Sequence, residues 1–260
     1  MLWVKAKTLR DAWIQLNMQI LERPHEVIED CTSSYAFIDG GIVYVESGTD
    51  QGLNLGEVGY SRAKWQHLLR GYFLPESFEA AVRAGEHYLG RPQRPPLGIV
   101  FFGDRIHKSP GISSAAGPCL VGLTLAWRFA DPTPRCHVLS RSTESSRKLY
   151  ADIVLVQVLL RTLGKRLGFD PRGVSIAWIL TRITQTVDFV PAFLKLAGRE
   201  LPKVDHPWIK AIERSWPKEK DLASKFRTRK VAVEHYFHLM EGKSLEDIPA
   251  STLRLPGWEE

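Results

Sequence analysis

The chain has 260 residues, 44% of them hydrophobic and 25% charged, which is enough apolar material for one large packed domain and too much for a disordered chain. Its longest apolar stretch, residues 153–160, falls well short of a bilayer span, and Lys5, Lys7 and Arg10 break up the N-terminus, so neither a membrane helix nor a signal peptide is expected and a cytosolic location is. Three cysteines without a CxxC pair exclude a disulfide framework or zinc knuckle, while a net charge of +6 suits nucleic acid, a nucleotide phosphate or a polyglutamylated cofactor without choosing among them.

In chain order, Thr8 followed by Asp11 resembles a helix cap, and Leu9, Trp13, Leu16 and Ile20 recur at helical spacing until Pro24. Residues 35–46 hold Gly40-Gly41 between two runs rich in β-formers, which predicts a hairpin or a strand. A glycine-rich connector covers 48–59, and helices are expected over 60–70 and 76–89. Prolines 92, 95 and 96 precede a buried strand at 97–102, and a loop from 103 to 118 delivers Cys119 to the start of the next strand.

Val121, Leu123, Leu125 and Trp127 then share one face until Asp131-Pro132-Thr133-Pro134 turns the chain and 135–141 runs back. This antiparallel pair puts Cys119 and Arg141 at the same end. The strongest helix spans 146–167, with an inward stripe of Leu149, Ile153, Val156, Leu160 and Leu163, and Gly168 ends it before a strand at 174–180. Residues 203–260 read as a helical, basic region whose lysines and arginines, 218–230, are mixed with acids, as on a solvated helix face. Helices and strands mix without regular βαβ alternation, so the expected fold is α/β (α+β), one domain over residues 1–260 with a large mixed sheet flanked by helices.

Two residues stand out chemically. Cys119 follows the rigid Gly117-Pro118 lead-in, and a cation returning beside a thiol favours the reactive thiolate; Cys136, inside the returning strand, reads as a small core residue. Asp152 lies one helical turn from both Leu149 and Val156 and so borders the buried face. It is either a partly wet residue favoured by the helix dipole or a ligand-binding group, able to accept from an amino group and, when protonated, to donate to a ring nitrogen. His67, His87, His107 and His137 lack metal-ligand spacing, so no metal is expected, and Trp13, Trp65, Trp127 and Trp178 fit packing faces.

Gly117-Pro118-Cys119-Leu120, an antiparallel return, Arg141-Ser142-Thr143-Glu144 and a long helix with a polar residue at 152 resemble the catalytic half of the thymidylate synthase superfamily. The likeness is best over residues 117–185 and nearest to the cytidylate hydroxymethylase branch. It implies a thymidylate synthase-like fold, a homodimer with sheets packed face to face, and 5,10-methylenetetrahydrofolate as cofactor. It implies Cys119 as the nucleophile that adds to pyrimidine C6, Arg141 and Ser142 as phosphate ligands, Glu144 facing the folate, and Glu57 as the candidate catalytic glutamate.

The family's usual asparagine at position 152 reads uracil, whereas an aspartate stands there in relatives that hydroxymethylate cytosine. The implied function is therefore folate-dependent C5 hydroxymethylation of CMP or dCMP. Methylation of dUMP and a non-catalytic nucleotide- or nucleic-acid-binding protein on the same fold are the alternatives. The chain departs from the pattern at Arg182-Ile183-Thr184, where a sugar-gripping His-x-Tyr is usual, and at Pro95 and Pro96, where paired arginines for the partner's phosphate are usual; Arg91, Arg94 and Arg105 lie nearby. The C-terminal residues 255–260 differ from the family's apolar closing tail.

Overall fold

A computed structural model describes residues 1–29, 34–48, 58, 75–88, 91, 95–100, 119–128 and 131–216. The chain opens with strand β1 (Leu2–Ala6) and helix α1 (Leu9–Glu22). Thr8 caps α1 by accepting from the Asp11 amide at 3.1 Å, and the 3.6-residue stripe of Leu9, Trp13, Leu16 and Ile20 is buried. Strand β2 (Glu26–Glu29) pairs with β3 (Ser34–Val45). β3 is one continuous strand, so of the two expectations for this segment the hairpin falls.

Helix α2 (Pro75–His87), β4 (Leu97–Val100), β5 (Leu120–Ala126), β6 (Arg135–Glu144), helix α3 (Lys148–Leu167) and β7 (Ser175–Thr186) follow, then helices α4 (Val190–Ala197) and α5 (Pro207–Arg214). The seven described strands form one sheet in the order β1-β3-β7-β6-β5-β4, with β2 paired to β3 outside that path. β1 with β3 and β6 with β7 are parallel, and the remaining pairs are antiparallel. This is the mixed α/β, single-domain architecture that the pattern of elements predicted. Among the described residues no helix is long and apolar enough to cross a membrane. The expected helix at 60–70 and the basic stretch at 218–230 lie outside the described residues.

A transverse kink divides the sheet. In β6 the buried residues are Cys136, Val138 and Ser140 up to that level and Thr143 and Glu144 beyond it; in β7 they are Ile176, Trp178 and Leu180, then Ile183 and Gln185; in β3 they are Ala36 and Ile38 on one side of it and Gly41, Val43 and Val45 on the other. The register stays constant, yet pairing passes over Gly40, Thr181 and Arg141, and β5 shifts register between Leu120 and Gly122. Changing the buried parity without changing register requires a departure from extended geometry. Gly40 supplies one with φ of 75°, a conformation that costs other residues about 1–2 kcal/mol. Irregularities of this kind re-aim side chains and gather beside functional sites.

Helices α1 and α3 cover one face of the sheet. Trp13 meets Tyr150 of α3 edge-on at 4.9 Å and Phe193 of α4 at 5.0 Å, joining the three helices over the strands. The opposite face carries an apolar row across four strands, Trp3–Ile42–Ile179–Leu139, in cross-strand register. Three of its members remain 59%, 47% and 42% exposed (Trp3, Ile179 and Leu139).

Candidate active site

Cys119 stands immediately before β5, half-buried, and its carbonyl accepts from the Arg141 amide at 2.8 Å. The hairpin geometry inferred from alternation and the proline turn is thus present: the thiol-bearing residue and Arg141 share one end of the β5–β6 pair, at the kink. Ser142 follows, half-buried, while Arg141 is exposed. Neither Cys119 nor Cys136 is in a disulfide. Cys136 is fully buried, and burial pushes its thiol far above the ordinary range, so it stays a protonated core residue.

Asp152 is 2% exposed, which disposes of the partly wet reading. The Thr143 hydroxyl donates to its Oδ2 at 3.4 Å. Burial pushes the Asp152 carboxyl up to about 7, against the Thr143 hydrogen bond and the Lys148 charge, which both pull it down. Near neutral pH both protonation states are therefore populated. A carboxyl group in that condition offers an acceptor on one oxygen and a donor on the other.

Glu144 closes β6 and is buried. Its Oε1 accepts from the Ser146 amide at 3.0 Å, and its Oε2 from those of Arg147 at 2.9 Å and Lys148 at 3.3 Å. Arg147 is the N-cap and Lys148 the first residue of α3, with Ser146 just before them, so the carboxylate caps that helix. Burial raises its pKa and the amide bonds oppose the rise. Both oxygens are thus engaged within the chain, and any contact with a cofactor would have to be shared with the cap.

A buried polar network that sequence reasoning missed fixes this turn. Asn17 Oδ1 accepts from the Ser145 hydroxyl at 2.7 Å, the Ser146 hydroxyl at 3.1 Å and the Gln185 amide at 3.0 Å. Asn17 Nδ2 donates to the Trp13 and Ser145 carbonyls, Trp13 Nε1 to the Ser145 carbonyl at 2.7 Å, and Trp208 Nε1 to Gln185 Oε1 at 3.1 Å. One asparagine thereby ties α1, the β6–α3 turn and β7 together, with α5 attached through Trp208. The readable signal was Asn17 one turn after Trp13 on the apolar stripe of α1, a polar residue on an inward face that must find partners.

Arg182 pairs in register with Ser142 of β6 on one side and with Asp39 of β3 on the other. Its Nε donates to Asp39 Oδ1 at 2.9 Å, and its guanidinium lies 5.6 Å from the centre of the Phe37 ring. Glu57, Gly117-Pro118, Arg94 and Arg105 lie outside the described residues; Arg91 is described, exposed and over the Tyr88 ring at 5.4 Å. Among the described residues no cluster of His, Cys, Asp and Glu could hold a metal ion. No protein-family model matches the chain, and no curated protein is significantly similar to it.

Proposed function

We propose that the chain is a one-carbon transferase that hydroxymethylates C5 of a cytidine nucleotide, CMP or dCMP, with Cys119 as the nucleophile. The observation that carries this reading is the meeting of Cys119 and Arg141 across a 2.8 Å backbone hydrogen bond at the kinked end of the sheet, with Ser142 next in sequence.

The Cys119 thiolate adds to C6 of the ring, forming the S–C6 bond and moving electron density to C5, which becomes the nucleophilic carbon. The Arg141 guanidinium and the Ser142 hydroxyl hold the 5′-phosphate, the planar fork matching two phosphate oxygens. Asp152 accepts from the exocyclic amino group at C4 and, in its protonated form, donates to N3. Uracil offers an acceptor oxygen at C4, which an ionised carboxylate repels, whereas the neutral acid matches either base, so the preference for cytosine comes from the ionised form.

The resemblance names 5,10-methylenetetrahydrofolate as the source of the one-carbon unit, and that group would supply an electrophilic methylene for C5. Glu144, the residue that the resemblance sets facing it, would face it while accepting from the α3 amides. The homodimer belongs to the same reading: the apolar row of Trp3, Ile42, Ile179 and Leu139 on the open sheet face suits a second copy of that face.

The test is product analysis with CMP, dCMP and dUMP in the presence of methylenetetrahydrofolate. A 5-hydroxymethylcytidine nucleotide with folate left at the tetrahydro level supports the reading. A methylated uridine nucleotide with dihydrofolate formed replaces it with the thymidylate synthase reaction. Inert nucleotides together with steeply salt-dependent oligonucleotide binding overturn it in favour of a nucleic-acid-binding protein.

A further inference from the structure

We propose that Arg182 is a second phosphate-binding arginine, paired with Asp39 and turned to the nucleotide's 5′-phosphate when that anion arrives. The proposal rests on the reading of Arg141 and Ser142 as the phosphate site.

Its basis is placement. Asp39 of β3, Arg182 of β7 and Ser142 of β6 are consecutive partners in one cross-strand row, each strand about 4.8 Å from the next. The three residues beside them in the next row, Ile38, Ile183 and Thr143, are all buried, so Asp39, Arg182 and Ser142 point to the other, open face. Arg141 precedes Ser142 at the kink, and a phosphate on the Ser142 hydroxyl therefore lies between an arginine of its own strand and an arginine of the neighbouring strand.

The state of Arg182 fits a cation held in reserve. Within the single chain its side chain is 56% exposed and that of Asp39 62%, so the pair serves no buried core of that chain and is inexpensive to separate. The contact to Asp39 runs through Nε, and the terminal nitrogens of the guanidinium keep donors for another anion. Phe37 supports the guanidinium plane from β3. Two guanidinium forks around one hydroxyl suit a dianionic phosphate monoester and give no advantage to an uncharged nucleoside. Asp39 competes with the phosphate for Arg182, which fixes the direction of its effect: removing its charge frees the arginine.

The experiment is calorimetric titration of the full chain with CMP and with cytidine, for wild type, Arg182→Gln and Asp39→Asn, with thermal unfolding to check that each variant is folded. Arg182→Gln is expected to weaken CMP roughly tenfold to a hundredfold, the loss of one charge-assisted contact, and to leave cytidine unchanged. Asp39→Asn is expected to tighten CMP. If wild type prefers CMP to cytidine and Arg182→Gln keeps that preference in full, Arg182 does not bind the phosphate, and the nucleotide reading survives without it. A loss of CMP affinity in Asp39→Asn equal to that in Arg182→Gln would make Asp39 an orienting group and overturn the competition. A wild type that binds neither ligand overturns this proposal and the nucleotide reading together.

Discussion

Replacing Asp152 by asparagine should stabilise the protein, and by an amount that depends on pH. The ordinary value of an aspartate carboxyl is 3.8, and burial in α3 lifts that of Asp152 to about 7, a gap of about three units at roughly 1.4 kcal/mol each. Ionising Asp152 in the folded chain therefore costs about 4 kcal/mol relative to ionising it in the unfolded chain. Because the folded value lies above the unfolded one, the penalty is absent below about pH 4. It grows as pH rises through the interval and is complete above about pH 7. Asp152→Asn cannot ionise, so its advantage follows the same course. Glu144, also raised by burial, is common to both proteins and cancels in the comparison. In urea unfolding, the gap between Asp152→Asn and wild type should widen in favour of the variant by about 3 kcal/mol between about pH 4.5 and about pH 8. Stability curves that stay parallel across that range would refute the burial argument for Asp152.

Removing the α3 cap with Glu144→Ala should lower stability by about 1–2 kcal/mol in chemical denaturation and weaken nucleotide binding in parallel, since Glu144 closes the strand that carries Ser142. Asn17→Ala strips three buried donors of their shared acceptor and should cost about 3 kcal/mol or more, read as a lower denaturation midpoint with an unchanged slope. Gly40→Ala meets no atom closer than 4.0 Å, so its cost is conformational alone. About 1–2 kcal/mol is expected for the φ of 75° at that position, measured as a fall in melting temperature.

What was legible in the sequence follows the strength of each local signal. The helix at 9–22 had a capping threonine, a regular apolar stripe and a stopping proline; the β5–β6 pair had alternation and a double-proline turn. β2 is only four residues, Glu-Val-Ile-Glu, largely exposed and without alternation, and α5 is eight residues long, so neither gives a periodic window wide enough to read. β1 and the length of β3 were obscured by Lys5 and by Gly40-Gly41, where the glycines mark a kink inside a strand rather than a turn between two.

The site divides in the same way. Spacing along a hairpin and a helix brought Cys119, Arg141 and Asp152 into view, because these depend on local periodicity. The capping role of Glu144 depends on the course of the chain between β6 and α3, which brings the amides of 146–148 to the carboxylate. The Asn17 network and the Asp39–Arg182–Ser142 row join residues far apart in sequence; helix packing brings the first together and strand register the second.

The central claim is that Cys119 attacks the pyrimidine ring. Incubation with C5-tritiated CMP or dCMP and methylenetetrahydrofolate should release tritium to water from wild type, with release abolished by Cys119→Ala while nucleotide binding is retained. Equal release from wild type and Cys119→Ala, or none from wild type with any of CMP, dCMP, UMP and dUMP, would contradict it.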